Sequence, residues 1–405
     1  MKQSEFNYVI ANVDSEQFYV FNTYKNSLAV LTTEEYDHLC HLELASEEEL
    51  CTFYDLQLIV EDDRDERAEA EADTLKYAND DRVIVRILTT LMCNARCHYC
   101  YENRAYQSLN QKTADDIVDF LRQLNTKIHI EWFGGEPLFN YTIITYICKR
   151  LYEYGIDFTS SMVSNGIFPY ANDRVAFWKL ERIQITLDGV NERYEVIKNV
   201  KPGSFASVIN NIKSLTESKV DVSIRLNYTG DNMDDLKSVV DYMAENFGYN
   251  EYIHYYAYPI FELCNKDKEF DPEIVDKIFE LQDYIISKGL DTSKHLYTIK
   301  YKAMGCFATH RNGYTIGPDG KLYGCSHVLY KPVGDVVNGD NEFRKEFLAN
   351  IPEKCKSCII YPLCKGGCKV GELELAKINQ CNLYKNRFEE FVIRMVQNKL
   401  KEVKV

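Results

Sequence analysis

From Arg82 to about Lys288 the sequence alternates six times between strand-like and helix-like segments, and this rhythm limits the fold more than any other feature. Strands are expected near 82–90, 127–133, 158–164, 182–188, 220–228 and 251–259, with helices near 113–125, 141–153, 171–180, 205–218, 233–247 and 272–288. In the first helix Ile117, Phe120, Leu121 and Leu124 recur at helical spacing, and Thr113 with Asp116 is placed as its capping box. In the fifth, Leu236, Val239, Val240 and Met243 recur likewise before Gly248 stops the helix. Such alternation implies a parallel sheet with right-handed crossovers. The strands then select its form. The fifth sets Val220, Val222, Ile224 and Leu226 against Asp221, Ser223, Arg225 and Asn227. The fourth sets Ile183, Ile185 and Leu187 against Gln184, Thr186 and Asp188. A doubly wound sheet is covered on both faces and reads as continuous apolar runs. A polar face points instead to α/β architecture of the partial (β/α)6 TIM-like barrel kind, with a wet interior for a polar ligand.

The flanks differ. Residues 1–80 contain short strands at Phe6 to Val13 and Gln17 to Leu31, turning near Asn22 to Ser27, then a helix opened by Thr33-Glu34-Glu35-Tyr36. Glu61 to Asp73 carries eight acids against Arg64 and Arg67, as a solvated, linker-like helix or loop does. This order fits an N-terminal winged-helix-like α+β module. Residues 81–290 hold the barrel pattern, 300–390 a cysteine- and glycine-rich module, and 391–405 a helical tail that starts near Asn386. A net charge of -15 argues against a nucleic-acid partner. No apolar run is long enough to span a membrane, and Met1 to Asp14 has no signal-peptide core, so a cytoplasmic location is expected.

Fourteen cysteines are too many for one structural zinc site, and in a reducing cytosol metal binding is a better expectation than disulfides. The first strand runs into Cys93-x3-Cys97-x2-Cys100, three thiols in one loop at a strand's C-terminal end, where parallel βα proteins place their chemistry. Zinc usually takes four ligands with paired short spacings. Three thiolates suit a [4Fe–4S] cluster with one iron open.

At these residues the sequence resembles the radical S-adenosylmethionine (SAM) enzymes, over roughly 82–290. Cys93, Cys97 and Cys100 match that family's CxxxCxxC, with Tyr99 as the aromatic before the third cysteine. Gly134-Gly135-Glu136-Pro137 resembles its GGEP, Ser164-Asn165-Gly166 its TNG, and Thr186-Leu187-Asp188-Gly189 its SLDG; Arg225 and Asn227 follow on the fifth strand. The resemblance implies a cluster whose open iron takes the amino and carboxylate groups of SAM, and a 5′-deoxyadenosyl radical that abstracts a hydrogen. The paired glycines are expected to let backbone approach the methionine amino group, with Glu136 as acceptor. Ser164, Asn165, Thr186 and Asp188 are expected on the lumen side, facing ribose and carboxylate. Relatives often carry HDxxR after the fourth strand. Here Tyr194 to Lys198 stands in its place, so Lys198 or Arg225 would serve in place of that arginine.

Seven further cysteines, Cys306, Cys325, Cys355, Cys358, Cys364, Cys368 and Cys381, resemble the SPASM extension of peptide-modifying radical SAM enzymes, with two auxiliary iron–sulfur clusters. The resemblance assigns Cys355, Cys358, Cys364 and Cys381 to a distal cluster and Cys306, Cys325 and Cys368 to a proximal one, giving three [4Fe–4S] clusters in all. Eight ligands would close two auxiliary clusters, and Tyr297 to Gly305 supplies no eighth cysteine. An open proximal iron awaiting a substrate thiolate, a water or a non-cysteine ligand is expected. Cys148, on a face with Ile144, Ile147 and Leu151, and Cys40 are expected in core packing, and Cys264 near the barrel mouth or in packing.

The N-terminal module resembles the leader-binding element of enzymes that modify ribosomally made peptides, which take a peptide as an added strand. A structural cap on the barrel is the other reading. The expected activity is that of a peptide maturase that installs a cysteine thioether on a precursor peptide with a leader, served by a flavodoxin- or ferredoxin-like electron donor. Carbon–carbon crosslinking, epimerisation and anaerobic sulfatase maturation remain open on the same scaffold. A non-catalytic iron–sulfur carrier or a zinc scaffold is the alternative of a different class.

Overall fold

The computed structural model describes residues 1–12, 16–102, 105–124, 126–263, 269–291, 306–348, 351–376 and 378–403. At the N-terminus β1 (Lys2–Gln3) precedes an antiparallel sheet of β2 (Asn7–Asn12), β3 (Gln17–Asn22) and β4 (Ser27–Thr32). α1 (Thr33–Cys40) and α2 (Glu47–Asp55) follow, each opened by a capping box: Thr32 with Glu35, and Ser46 with Glu49. β5 (Ile59–Val60) pairs with β1, and α3 (Glu66–Ala78) ends this region.

The acidic segment 61–73 is solvated only in part: Glu61, Asp62, Asp63 and Asp65 are exposed, and the other acids lie on α3, which packs against the N-terminal strands. Glu66, on α3, is buried and accepts hydrogen bonds from Ser4 Oγ at 2.7 Å and the Glu5 amide at 2.9 Å. Arg64 is paired with Glu69 at 2.8 Å, and Tyr24 donates to Asp73 at 2.8 Å. Local charge density suggests solvation throughout; for Glu66, partners some sixty residues away provide burial instead. Cys40 is exposed, because the buried position of α1 is its neighbour Leu39.

The large sheet begins with β6 (Val83–Thr90) and continues through β7 (Ile128–Gly134), β8 (Phe158–Ser164), β9 (Leu180–Thr186), β10 (Asp221–Tyr228) and β11 (Ile253–Pro259). Helices α4 (Gln111–Gln123), α5 (Tyr141–Glu153), α6 (Asn172–Phe177), α7 (Asn191–Lys198), α8 (Ser204–Glu217), α9 (Met233–Asn246) and α10 (Pro272–Ser287) accompany them. The six strands lie parallel in chain order, with no reversal point. Winding in one direction puts the crossover helices on one face. In register across the sheet run Ile87, Trp132, Met162, Ile183, Val222 and Ile253, all buried, and each side chain removed from water contributes roughly 1.5–3 kcal/mol. Cys148 is buried in this core, as its helical spacing predicts. Cys264 lies outside the described residues.

Two local readings change. Helix α4 begins at Gln111 and its cap is Asn110, whose side chain accepts from the Thr113 amide at 3.0 Å. Thr113 with Asp116 therefore makes no capping box. The cysteine-rich region also joins the sheet directly. β12 (Gly313–Ile316) pairs parallel with β6, and β13 (Lys321–Tyr323), β14 (Gly334–Asp335) and β15 (Gly339–Asp340) extend it antiparallel. The sheet is thus open among the described residues, with β11 at one edge and the cysteine-rich strands at the other. The C-terminal helix, Phe388–Val403, returns to the N-terminal sheet, where Phe388 meets Tyr8 edge-on at 4.9 Å.

Replacing the cap with Asn110→Ala should cost about 1 kcal/mol in urea denaturation. Asp116→Ala should cost clearly less, and the reverse order would contradict this helix start.

Candidate cluster and cofactor site

Strand β6 ends at Thr90, and the chain turns at once into the loop that holds Cys93, Cys97 and Cys100. The loop's thiols lie together: burial, above all, then the charges of Glu136, Cys97 and Cys100, push the Cys93 thiol up to about 11. Binding to a metal reverses such a shift, because the ion favours the thiolate.

Gly134 and Gly135 explain how the loop is held. Gly134 has φ +123°, and a Cβ there would lie 2.1 Å from the Thr90 carbonyl oxygen; at Gly135 it would lie 2.4 Å from that of Met92. Gly135 N–H donates to Thr90 O at 3.0 Å and Glu136 N–H to Met92 O at 2.9 Å. The glycines thus admit the incoming strand of the cysteine loop, a use that their expected approach to a methionine amino group did not include. Pro137 is buried at the head of the following short turn and, through its carbonyl, accepts from Thr89 Oγ1 at 3.0 Å.

Glu136 is fully buried. Its carboxylate accepts from the amides of Asn165 at 2.8 Å and Leu138 at 3.1 Å, and from Ser164 Oγ at 3.0 Å. Burial outweighs these donors and raises the carboxyl to about 7. Ser164 does not face the polar side. It pairs in register with Ile185, on the helix-covered face, and its hydroxyl is engaged by Glu136, by Tyr170 at 2.8 Å and by the Gly166 amide at 3.0 Å. Asn165 does reach the loop, with Nδ2 at 2.6 Å from Asn94 Oδ1 and 3.9 Å from Cys93 Sγ. Thr186 pairs in register with Arg225, on the polar face.

Asp188 follows β9 and is completely buried against Lys198 Nζ at 2.6 Å. The Tyr99 hydroxyl donates to the same carboxylate and accepts from Lys198, and the Asn227 amide donates to Asp188 at 3.2 Å. The Lys198 carbonyl accepts from the Arg96 amide at 2.8 Å. Burial pulls the Lys198 ammonium down, but Asp188, the Cys97 thiol and Tyr194 outweigh it and hold it above its ordinary value. The charge of Lys198 is therefore matched by a protein carboxylate, which sets this chain apart from a free carboxylate-binding arginine at that place.

The other sheet face is polar. Arg86 pairs with Glu131 and donates to Ser326 Oγ at 2.8 Å. His129 bridges Thr159 and Ser161 at 2.9 Å each. Gln184 accepts from Tyr256 at 2.5 Å, and Arg225 donates to Asn227 Oδ1 at 2.7 Å between the rings of Tyr256 and Tyr258. At its border the Tyr101 and His327 rings lie 4.0 Å apart and tilted by 37°, with Phe261 edge-on to His327 at 4.3 Å. Burial, with Arg86 and Arg225 nearby, lowers His327 to about 3, so it is neutral. The sequence reading missed Arg86, Tyr101, Phe261 and His327. Adjacency to Cys100 and Cys325 was the available signal for Tyr101 and His327.

The remaining cysteines form two groups. Burial first, then Cys306 and Cys368, acts on Cys325, raised to about 12. Burial first, then Cys381, Cys355 and Cys358, acts on Cys364, raised to about 11. Cys368 donates its amide to Gln380 O at 2.8 Å, and Gln380 is buried with neither side-chain polar atom hydrogen-bonded. A buried amide left unpaired costs about 1–3 kcal/mol, and the thiols of Cys355, Cys358 and Cys381 acting on Cys364 are a donor set of the kind that suits an iron–sulfur cluster. Among the described residues no three His, Cys, Asp or Glu side chains converge as ligands of a single metal ion. The segment Tyr297 to Gly305, where an eighth cysteine was sought, lies outside the described residues. Also among the described residues, no helix is long and apolar enough to cross a membrane.

Removing one member of a buried ion pair strands the other. Lys198→Met should therefore lower stability by about 3–5 kcal/mol in denaturant titration, with Lys198→Arg losing much less. Glu136 adds a pH dependence. The folded chain holds this proton more tightly than the unfolded chain, so the stability it gives is full below about pH 4.5 and is lost as pH rises through 7. Relative to Glu136→Gln, the wild-type chain should lose about 3 kcal/mol across that window. A difference that is flat with pH would contradict the buried carboxyl.

Residues 87–243 match the Radical SAM superfamily. An uncharacterized protein of Methanocaldococcus jannaschii is 28% identical over 168 residues, which are 38% of this chain and 56% of that protein. The radical SAM cyclopropyl synthase TigE of Paramaledivibacter caminithermalis is 22% identical over 350 residues, 74% of this chain and 72% of TigE. A cysteine-type anaerobic sulfatase-maturating enzyme of Clostridium novyi is 22% identical over 327 residues, 68% of this chain and 85% of that enzyme. Two solved structures share the fold. The anSMEcpe structure with bound AdoMet and peptide has TM-score 0.58 and 17% identity, covering 78% of this chain and 98% of that one. Streptococcus suis SuiB bound to precursor peptide SuiA has TM-score 0.53 and 15% identity, covering 94% of this chain and 98% of SuiB. This family uses a [4Fe–4S] cluster and SAM, and with Cys93, Cys97 and Cys100 gathered at the end of β6 the chain carries a radical SAM domain at residues 87–243.

Proposed function

We propose that this chain is a radical SAM peptide maturase that installs a crosslink, a cysteine thioether, in a ribosomally made precursor peptide. The carrying observation is the loop of Cys93, Cys97 and Cys100 at the end of β6, in which part-buried Cys93 lies beside Glu136 and Asn165 and Tyr99 ties the loop to Asp188 and Lys198. Three thiols leave one iron open for SAM. When bound, the cluster and SAM supply a 5′-deoxyadenosyl radical for hydrogen abstraction.

The chain's own residues orient and enclose. Tyr99, Asp188 and Lys198 fix the loop. Gly134 and Gly135 give it room, Pro137 and Ser164 set the adjoining backbone, and Glu136 orders the Asn165 turn beside Cys93. Thr186, Arg225 and Asn227 face the polar side and hold the polar parts of SAM. Cys306, Cys325 and Cys368 hold a proximal auxiliary cluster with one iron open, and Cys355, Cys358, Cys364 and Cys381 a distal one. The enzyme works in the cytoplasm, its clusters reduced by a flavodoxin or ferredoxin. Residues 1–80 are a leader-recognition module, 81–290 the barrel, 300–390 the SPASM domain and 391–405 a helical tail.

A peptide substrate is supported by the structural relatives: SuiB is bound to its precursor peptide SuiA and anSMEcpe to a peptide. Likeness to SuiB reaches 94% of this chain against 78% for anSMEcpe, so the fold shared with the precursor-binding protein extends further. This favours a leader-guided maturase over formylglycine formation, the second reading, which rests on the sulfatase-maturating relative.

The reconstituted chain with SAM and dithionite should release 5′-deoxyadenosine, and Cys97→Ser should abolish this. A cysteine-containing precursor peptide should become lighter by two hydrogens and lose reactivity to iodoacetamide. A peptide whose cysteine is converted to an aldehyde would overturn the crosslinking reading, and intact clusters without 5′-deoxyadenosine would overturn both.

A further inference from the structure

The Cys355-x2-Cys358 turn is held by the N-terminal module, although hundreds of residues separate them. Lys356 follows the first cysteine and Ile359 the second. The Lys356 carbonyl accepts from Arg67 Nη1 at 2.7 Å, and the Ile359 carbonyl accepts from the hydroxyl of Thr23. Both donors are themselves fixed. Thr23 is fully buried and donates its amide to Phe6 O at 3.0 Å. Arg67 is paired with Glu5 at 2.8 Å and lies 5.1 Å over the Phe6 ring. Phe6, Tyr24, Ala70 and Tyr361 form a small buried cluster, and Cys355, Cys358 and Ile351 pack on it. This core is separate from the one under the large sheet.

Backbone carbonyls in a short turn need donors, and the two here sit one residue after each cysteine. Arg67 supplies a charged donor in a rigid fork, and Thr23 a hydroxyl on a stiff β-branched side chain. Neither donor belongs to the cysteine-rich segment.

From this geometry we infer that Thr23 and Arg67 are positioning residues for the cysteine set 355, 358, 364 and 381. The N-terminal module is in this way a structural half of the distal cluster site as well as a peptide-binding element. The inference rests on the distal-cluster reading above. It makes the site sensitive to anything that moves the β3–β4 turn or α3.

The test uses the full chain, reconstituted with iron and sulfide without air. Wild type, Thr23→Val, Thr23→Ser and the double variant Thr23→Val with Arg67→Met are compared by iron content, Mössbauer spectra and a reductive titration of the distal cluster followed by electron paramagnetic resonance. Thr23→Val keeps size and removes the donor. It should shift the distal cluster's signal and midpoint potential, Thr23→Ser should restore both, and the double variant should lose distal iron while keeping the near-ultraviolet dichroism of a folded chain. If the double variant does not fold, the contrast between Thr23→Val and Thr23→Ser decides alone. A distal cluster unchanged in content, spectrum and potential in Thr23→Val would overturn this inference. Equal iron content in wild type and Cys358→Ser would overturn the distal-cluster reading itself, and this inference with it.

Discussion

The buried pair of Asp188 and Lys198 is the interaction on which the site depends. Two charges removed from water cost several kcal/mol each, and attraction offsets this only with close geometry and further hydrogen bonds. Here the distance is 2.6 Å, and Tyr99 and the Asn227 amide complete the partners of Asp188. The pair joins the end of β9, the last residue of α7 and the cysteine loop. A hydrophobic replacement would hold these segments together without fixing the loop's register. The charge pair fixes it, because any displacement of Tyr99 leaves a buried charge less satisfied.

The sheet supplies the frame. Winding in one direction puts the helices on one face and leaves the other free to be polar. All six parallel strands therefore end at one rim, where Cys93, Glu136, Asn165, Asp188 and Asn227 meet. The parallel pairing of β12 with β6 then brings the cysteine-rich region to that rim, so that Ser326 reaches Arg86 and His327 packs against Tyr101.

Most of this frame is legible in the sequence, since strand alternation and helical spacing report directly on which face is buried. The strands were expected within two residues or so of where they lie. What was not legible depends on pairing distant in sequence. Glu66 looked solvated because its partners, Ser4 and Glu5, lie some sixty residues away. Ser164 looked like a lumen residue because its polarity was read without its register against Ile185. The start of α4 is ambiguous in sequence because Asn110 and Thr113 are both N-cap residue types, and only the Asn110 side chain accepts from the third amide of the helix. Lys198 stands out in the sequence only as a departure from a motif; its role comes from Asp188, ten residues earlier and across a turn.

The proposed chemistry requires Cys93, Cys97 and Cys100 to hold a four-iron cluster with one iron open to SAM. Electron–nuclear double resonance of the reduced chain, with SAM isotopically labelled at its amino nitrogen, tests it most directly. A strong coupling between the label and the cluster is expected, lost in Cys93→Ala. A reduced cluster on these cysteines that shows no coupling to labelled SAM would contradict it.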